Sequence, residues 1–190
     1  MPDHPAYFFG YGSLVNAATH HFEDPHPAQL TGWRRVWRHT TLREVAYLTV
    51  VPDPATTIDG VIAAVPAGDW AALDYRERAY MRVPVSERVT HTLPHAPQIA
   101  VYSVPHEAHS PATTGQVYLS YLDVVVQGYL AAFGPDGVER FFRTTDGWDA
   151  QFVDDRAAPR YPRHCQLDPR EQALVNDLLH DAEARIIPLS

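Results

Sequence analysis

Short strand-like segments separated by Pro- and Asp-rich turns fill the first two-thirds of this chain, and amphipathic helices fill the last third. After an apolar and aromatic run at 7–11, candidate strands cover 29–38, 45–52, 58–66, 82–93 and 98–104. Several alternate apolar and polar side chains, as in Gly32-Trp33-Arg34-Arg35-Val36-Trp37, the pattern of a strand with one buried face. Pro52-Asp53-Pro54 and Leu93-Pro94-His95 read as turns between them. About six short strands in one small domain predict a closed or nearly closed barrel, because closure removes exposed sheet edges. One helix interrupts the strands, from an Asp69 N-cap to about Glu77, with Trp70, Leu73 and Glu77 on one face.

In the last third, Ser120-Tyr121-Leu122-Asp123 looks like a capping box. The helix that follows carries Leu122, Val125, Val126, Tyr129 and Leu130 to a stop at Gly134-Pro135. A shorter segment at 136–144 places Val138, Phe141 and Phe142 on one side. Asp168-Pro169-Arg170-Glu171 joins an acidic cap, Pro at the first helical position and Glu at the third, and an apolar stripe from Leu174 to Ala182 follows. The expected fold is α+β: a small mixed β-barrel of about six strands with flanking helices and a helical C-terminal third. One domain is expected over 1–190, with 115–190 a mostly helical extension packed on the barrel.

The chemistry-bearing signal is Tyr7-Phe8-Phe9-Gly10-Tyr11-Gly12-Ser13-Leu14. A strand breaks here into a loop with Gly at alternate positions, which admits unusual backbone angles and close approach of a ligand. Such a loop presents several N–H groups together, a concavity suited to a carboxylate or an oxyanion. By itself it also fits an ordinary turn after a first strand. The net charge of −8 leaves no basic excess to neutralise phosphates, which argues against nucleic acid or an anionic membrane as partner. All 15 basic residues are Arg, so Schiff-base and P-loop lysine chemistry are excluded. Cys165 is the sole cysteine, so no intrachain disulfide forms. With no signal-peptide pattern and no apolar run of spanning length, a cytoplasmic location is expected.

The loop Phe9-Gly10-Tyr11-Gly12-Ser13-Leu14 resembles the Y-G-S-[LN] signature of the gamma-glutamylcyclotransferase superfamily. Leu73-Asp74-Tyr75-Arg76-Glu77, followed by Tyr80 and Arg82-Val83-Pro84-Val85, resembles that family's catalytic-glutamate segment. The Ser120–Asp123 helix start and the loop Asp155-Arg156-Ala157-Ala158-Pro159-Arg160-Tyr161-Pro162-Arg163 are similar to a bacterial branch of it, and the loop's wording leans towards the glutathione-acting members. The resemblance implies cyclisation of a gamma-glutamyl amide to 5-oxoproline, with release of the amine portion and no metal or organic cofactor. It implies Glu77 as the catalytic residue. It places Gly10, Tyr11, Gly12, Ser13 and Leu14 around the gamma-glutamyl portion. Tyr80 and Tyr121 are further candidate substrate contacts, with core packing as their alternative. Arg78-Ala79 after Glu77 departs from the family's usual Gly.

The residue types suit that reaction. The attacking amine must be neutral, so a carboxylate must accept its proton, and the departing nitrogen must receive one. An exposed Glu titrates near pH ~4.3, and partial burial would raise that value and make it a better donor. Isolated from the loop, Glu77 reads as a helix-end carboxylate. Arg156, Arg160 and Arg163 read either as a clamp for a leaving-group carboxylate or as a solvated loop paired with Asp154 and Asp155. Phe141, Phe142 and Trp148 read as core or interface. His20-His21 and His106-Glu107-Ala108-His109 lack zinc-protease spacing. His164-Cys165 adjacency identifies no nucleophile, and Ser13 lacks the nucleophile-elbow context and is expected to shape the loop. Two alternatives stand beside cyclisation: an amidohydrolase or acyltransferase of the same fold, and a non-catalytic anion-binding module. The expected partner is a small gamma-glutamyl compound, and the chain is a monomer or homodimer.

Overall fold

A computed structural model describes residues 5–40, 43–65, 69–105 and 115–189. At its centre lies β1 (Tyr7–Gly10), buried throughout. It pairs antiparallel with β3 (Arg43–Ala64) and parallel with β6 (Ile99–Ser103). Beyond β6 runs β4 (Met81–Pro84), antiparallel to it. On the other side β3 forms a long hairpin with β2 (His26–Thr40), whose far edge takes β5 (Val89–His91) and β8 (Thr145–Asp146). The result is the expected mixed barrel-like sheet, but as a half-barrel rather than a closed or nearly closed one.

The turn expected at Pro52-Asp53-Pro54 does not divide β3. Residues 53–56 instead form a wide bulge opposite Gly32, because pairing resumes with Trp33 against Pro52 after Thr31 against Thr57. The Asp53 carboxylate accepts from the Ala55 N–H at 3.1 Å and the Thr56 hydroxyl at 2.6 Å, so the local turn chemistry is real. Gly32, at φ +82°, supplies the left-handed residue that lets β2 follow the bend. The candidate strand at 82–93 is likewise two strands, β4 and β5, separated by a 3-10 turn at Ser86–Arg88.

Three helices flank the sheet: α1 (Trp70–Arg76), α2 (Leu119–Arg143) and α3 (Pro169–Asp181). The α2 helix breaks at Gly134, φ +69°, where Pro135 starts its second piece. The chain beyond residue 115 also supplies β7 (Gln116–Tyr118), β9 (Gln151–Asp154) and β10 (Arg185–Pro188), short strands absent from the sequence reading. They run parallel in the order β7, β9, β10 and join the half-barrel at Val45. Among the described residues no helix is long and apolar enough to cross a membrane.

Phe8 and Phe9 point to opposite faces of β1 and seed two apolar clusters. Phe9 joins Leu30, Ile58 and Val101 of the sheet to Leu122 and Phe141 of α2 and Val175 and Leu179 of α3. Phe8 packs with Ala63, Val65, Leu73 and Tyr102. Phe141 and Phe142 are core residues, and Trp148 stacks on Phe142 at 4.3 Å between ring centroids.

Candidate active site

The first strand delivers the glycine loop. After Gly10 the chain passes through Gly12 into a 3-10 turn at Ser13–Val15. Neither glycine has positive φ, so close approach rather than left-handed backbone is what requires them. A Cβ on Gly10 would lie 2.8 Å from Leu14 Cβ, and one on Gly12 would lie 2.8 Å from the Tyr121 hydroxyl. The turn closes through Val15 N–H to Gly12 O (2.9 Å) and Asn16 N–H to Ser13 O (3.1 Å). Among the described residues, the N–H groups of Gly12 and Leu14 bond no acceptor. They are donors the loop does not use itself, the kind of group able to meet an anion.

Beneath the loop lies a polar floor that the sequence reading missed. Arg35 is fully buried, its guanidinium 5.0 Å from the ring centroids of both Tyr129 and Phe141. Its Nε donates to the Tyr11 carbonyl at 3.2 Å, and its other nitrogens reach Thr144 Oγ1, Tyr129 Oη and the Asp59 carbonyl. Tyr129 Oη also lies within donating distance of the Tyr11 carbonyl, at 2.9 Å. Burial pushes the Tyr129 phenol up to about 12, so it remains a donor at neutral pH. The loop's far end is tied by His20, whose Nε2 lies 3.0 Å from the Leu14 carbonyl while its Nδ1 accepts from Phe22 N–H. Burial lowers the His20 pKa, favouring the neutral ring that this pair of bonds requires.

Glu77 arrives from α1. Asp69 caps the helix by accepting from Ala71 N–H at 2.8 Å, Leu73 anchors it in the smaller apolar cluster, and Glu77 is its C-cap. Neither Arg78 nor Ala79 has positive φ, so no Gly is needed after Glu77 here. The carboxylate is 18% exposed and pairs with Arg76 Nε at 3.1 Å. Burial raises its pKa above the ordinary value, while Arg76 and then Arg163 pull it back.

Gly10, Tyr11, Gly12, Ser13, Leu14, Glu77, Tyr80 and Tyr121 line one cavity of about 50 Å³. Leu48 and Tyr102 join them. Tyr102 lies on β6, where its alternation marks a strand but nothing in the sequence marks a site. Its hydroxyl donates to Asp74 at 2.5 Å, and its carbonyl accepts from the Tyr11 hydroxyl at 2.6 Å. Tyr80 Oη donates to the Leu48 carbonyl at 3.2 Å. Tyr121 Oη faces the N–H and hydroxyl of Ser13, and burial pushes its pKa up. Ser13, Leu48, Glu77, Tyr80 and Tyr121 also line a wider cleft of about 440 Å³, with Tyr118 and the arginines 76, 78, 160 and 163 around it.

Arg156 is not part of that cleft. Its guanidinium forks onto Asp123 at 2.7 and 2.8 Å and reaches Asn176, while Asp154 accepts only the Arg156 backbone N–H, at 3.2 Å. Ser120 and Asp123 form no capping box either. Asp155 accepts from the Ser120 N–H, the Ser120 hydroxyl and the Arg160 N–H, capping α2 from 35 residues away. Burial pushes the Cys165 thiol up to about 11. His106, Glu107 and His109 lie outside the described residues.

Among curated proteins, none matches this sequence. Solved structures share the fold. YkqA from Bacillus subtilis is 22% identical at a TM-score of 0.58, over 73% of this chain and 53% of that one, so this chain spans about half its length. A gamma-glutamyl cyclotransferase is 14% identical at a TM-score of 0.57, over 92% and 99% of the two chains. An uncharacterised protein of Homo sapiens, loc79017, is 14% identical at a TM-score of 0.52, over 90% and 98%. The sequence profile described as "Gamma-glutamyl cyclotransferase, AIG2-like" matches residues 8–120, from the first strand through the glycine loop and Glu77 to the start of α2, and the chain belongs to that family.

Proposed function

We propose that the protein is a gamma-glutamylcyclotransferase, converting a gamma-glutamyl amide to 5-oxoproline and a free amine. The observation that supports this best is a partly buried carboxylate, Glu77, sharing a cavity of about 50 Å³ with the glycine loop and its spare N–H groups.

Glu77 accepts one proton from the substrate's α-ammonium. The neutral amine attacks the γ-carbonyl carbon, a C–N bond forms and negative charge develops on oxygen. The intermediate collapses by breaking the original amide C–N bond, and Glu77 returns a proton to the departing nitrogen. The ring nitrogen's second surplus proton also ends on the amine, which leaves as an ammonium. A raised pKa suits a group that must both take and give a proton. One loop N–H aimed at the developing oxyanion lowers the barrier by about 3 kcal/mol. Holding the amine against its own carbonyl supplies much of the rest, since orientation dominates five-ring closure.

The test is 5-oxoproline release from glutathione, gamma-glutamyl dipeptides and gamma-glutamyl amines, wild type against Glu77→Gln. Release that Glu77→Gln abolishes while substrate still binds supports cyclisation. Free glutamate instead of 5-oxoproline would identify a hydrolase. Binding without turnover in a folded wild type would identify a binding module.

A further inference from the structure

The wider cleft is strongly basic in an acidic protein. The chain carries a net charge of −8, yet Arg76, Arg78, Arg160 and Arg163 line this cleft against Glu77 as its one acidic residue among the described ones. Arg76 is committed to Glu77. Arg78 lies over the exposed Tyr75 ring, 5.6 Å from its centroid. Among the described residues, neither the Arg160 nor the Arg163 guanidinium forms an ion pair within 4 Å of a carboxylate, although Arg163 is near enough to Glu77 to favour its ionised form. Four cations around a cleft with one carboxylate leave an excess of positive charge, which favours an anionic occupant.

These arginines do not sit on a loose loop. Buried Asp155 holds the Arg160 N–H at 2.7 Å, and the Ser120 hydroxyl accepts from Tyr161 N–H at 3.2 Å. The Tyr161 ring meets Tyr121 edge to face, 5.0 Å between centroids. The segment carrying Arg160 and Arg163 is therefore fastened to the same side chain that touches Gly12. It lines the wider cleft together with residues 76–80 at and just beyond the end of α1.

We propose that Arg160 and Arg163, assisted by Arg78, clamp a carboxylate on the leaving portion of the substrate, so that the enzyme takes gamma-glutamyl amino acids or short peptides with a free C-terminal carboxylate in preference to gamma-glutamyl amines. This rests on the cyclisation reading, in which the glutamyl portion fills the small cavity and the departing nitrogen lies at Glu77. The leaving portion then extends into the wider cleft, which shares Glu77, Tyr80 and Tyr121 with that cavity. A cationic or neutral amine gains nothing from this wall, whereas a carboxylate meets guanidinium groups matched to it in geometry.

The experiment compares 5-oxoproline release from gamma-glutamyl-alanine, gamma-glutamyl-alaninamide and gamma-glutamyl-propylamine, in wild type and in Arg160→Gln/Arg163→Gln. Wild type should prefer the free acid over its amide by about tenfold or more in kcat/KM, the scale of one charge-assisted hydrogen bond. The double variant should bring that ratio to within about twofold, mainly through KM, and added salt should narrow it in wild type. Equal rates on acid and amide in wild type, or a preference that survives the double substitution, overturn the clamp and leave cyclisation standing. No 5-oxoproline from any of the three removes cyclisation, and the clamp with it.

Discussion

The Arg35 guanidinium and the Tyr11 carbonyl meet at 3.2 Å in a fully buried layer directly beneath the glycine loop. No carboxylate faces Arg35 among its bonded partners, which are two carbonyls and two hydroxyls between aromatic rings. The cation satisfies the loop's inward-facing carbonyl, leaving the loop's donors for the cavity. Arg35→Met strands several of these acceptors and should cost about 3 kcal/mol or more. At about 2–4 °C per kcal/mol for a chain of this size, thermal unfolding should fall by roughly 6 °C or more. Tyr129→Phe should cost about 1–2 kcal/mol. An Arg35→Met protein melting with wild type would mean that the loop is held some other way.

The contact between Gly12 and Tyr121 predicts a coupled pair. An alanine Cβ at position 12 would crowd the Tyr121 hydroxyl at 2.8 Å and Leu48 at 3.3 Å. Tyr121 has little room to yield, packed edge-on against Trp37 and Tyr161. Gly12→Ala should destabilise by about 1–3 kcal/mol as overpacking, and Tyr121→Phe should recover part of that. A double-mutant cycle in urea should return a coupling of at least about 0.5 kcal/mol. Strict additivity would separate the two residues.

Much of this site was legible because its signals are local. Asp69 caps α1 and Asp168 with Glu171 boxes α3 through bonds spanning two or three residues, and the sequence shows such spacings directly. The glycine loop and Glu77 follow from short motifs. What stayed hidden depends on partners distant in the chain. Asp155 took the Ser120 N–H that a local capping box would have used. The Asp53 turn was absorbed into β3 because β2 keeps pairing on both sides of it. Tyr102 and Arg35 look like ordinary strand positions until β6 and β2 are brought against the loop. A buried arginine carries no local mark at all.

The pH dependence follows from Glu77. Its folded pKa is raised by burial above the reference value of 4.5. A raised carboxylate pKa disfavours the ionised form in the folded state, so stability declines as pH rises from 4.5 through the folded pKa. Glu77→Gln should therefore melt above wild type near neutral pH, with the difference closing as pH falls towards 4.5. In activity, the acid limb of kcat/KM should lie above the ordinary glutamate range. Arg163→Gln should move that limb to higher pH, because it removes a charge that favours the carboxylate. A limb unmoved by Arg163→Gln would mean that another group titrates there.

Asp155 predicts how the arginine wall fails. Its carboxylate takes the Ser120 N–H at 2.8 Å, the Ser120 hydroxyl at 2.6 Å and the Arg160 N–H at 2.7 Å, all in a fully buried position. Asparagine keeps the shape but offers one acceptor oxygen and an amide that must donate where donors already point. Asp155→Asn should cost about 2–3 kcal/mol, whereas Ser120→Ala, which removes one bond to the carboxylate, should cost about 1 kcal/mol. Because the Arg160 segment hangs from this carboxylate, Asp155→Asn should also raise KM for a gamma-glutamyl dipeptide more than it lowers kcat. Loss of stability with an unchanged KM would show that Asp155 caps α2 without positioning the wall. A KM effect limited to substrates with a free carboxylate would tie the cap to the clamp, since only those substrates engage the segment it holds.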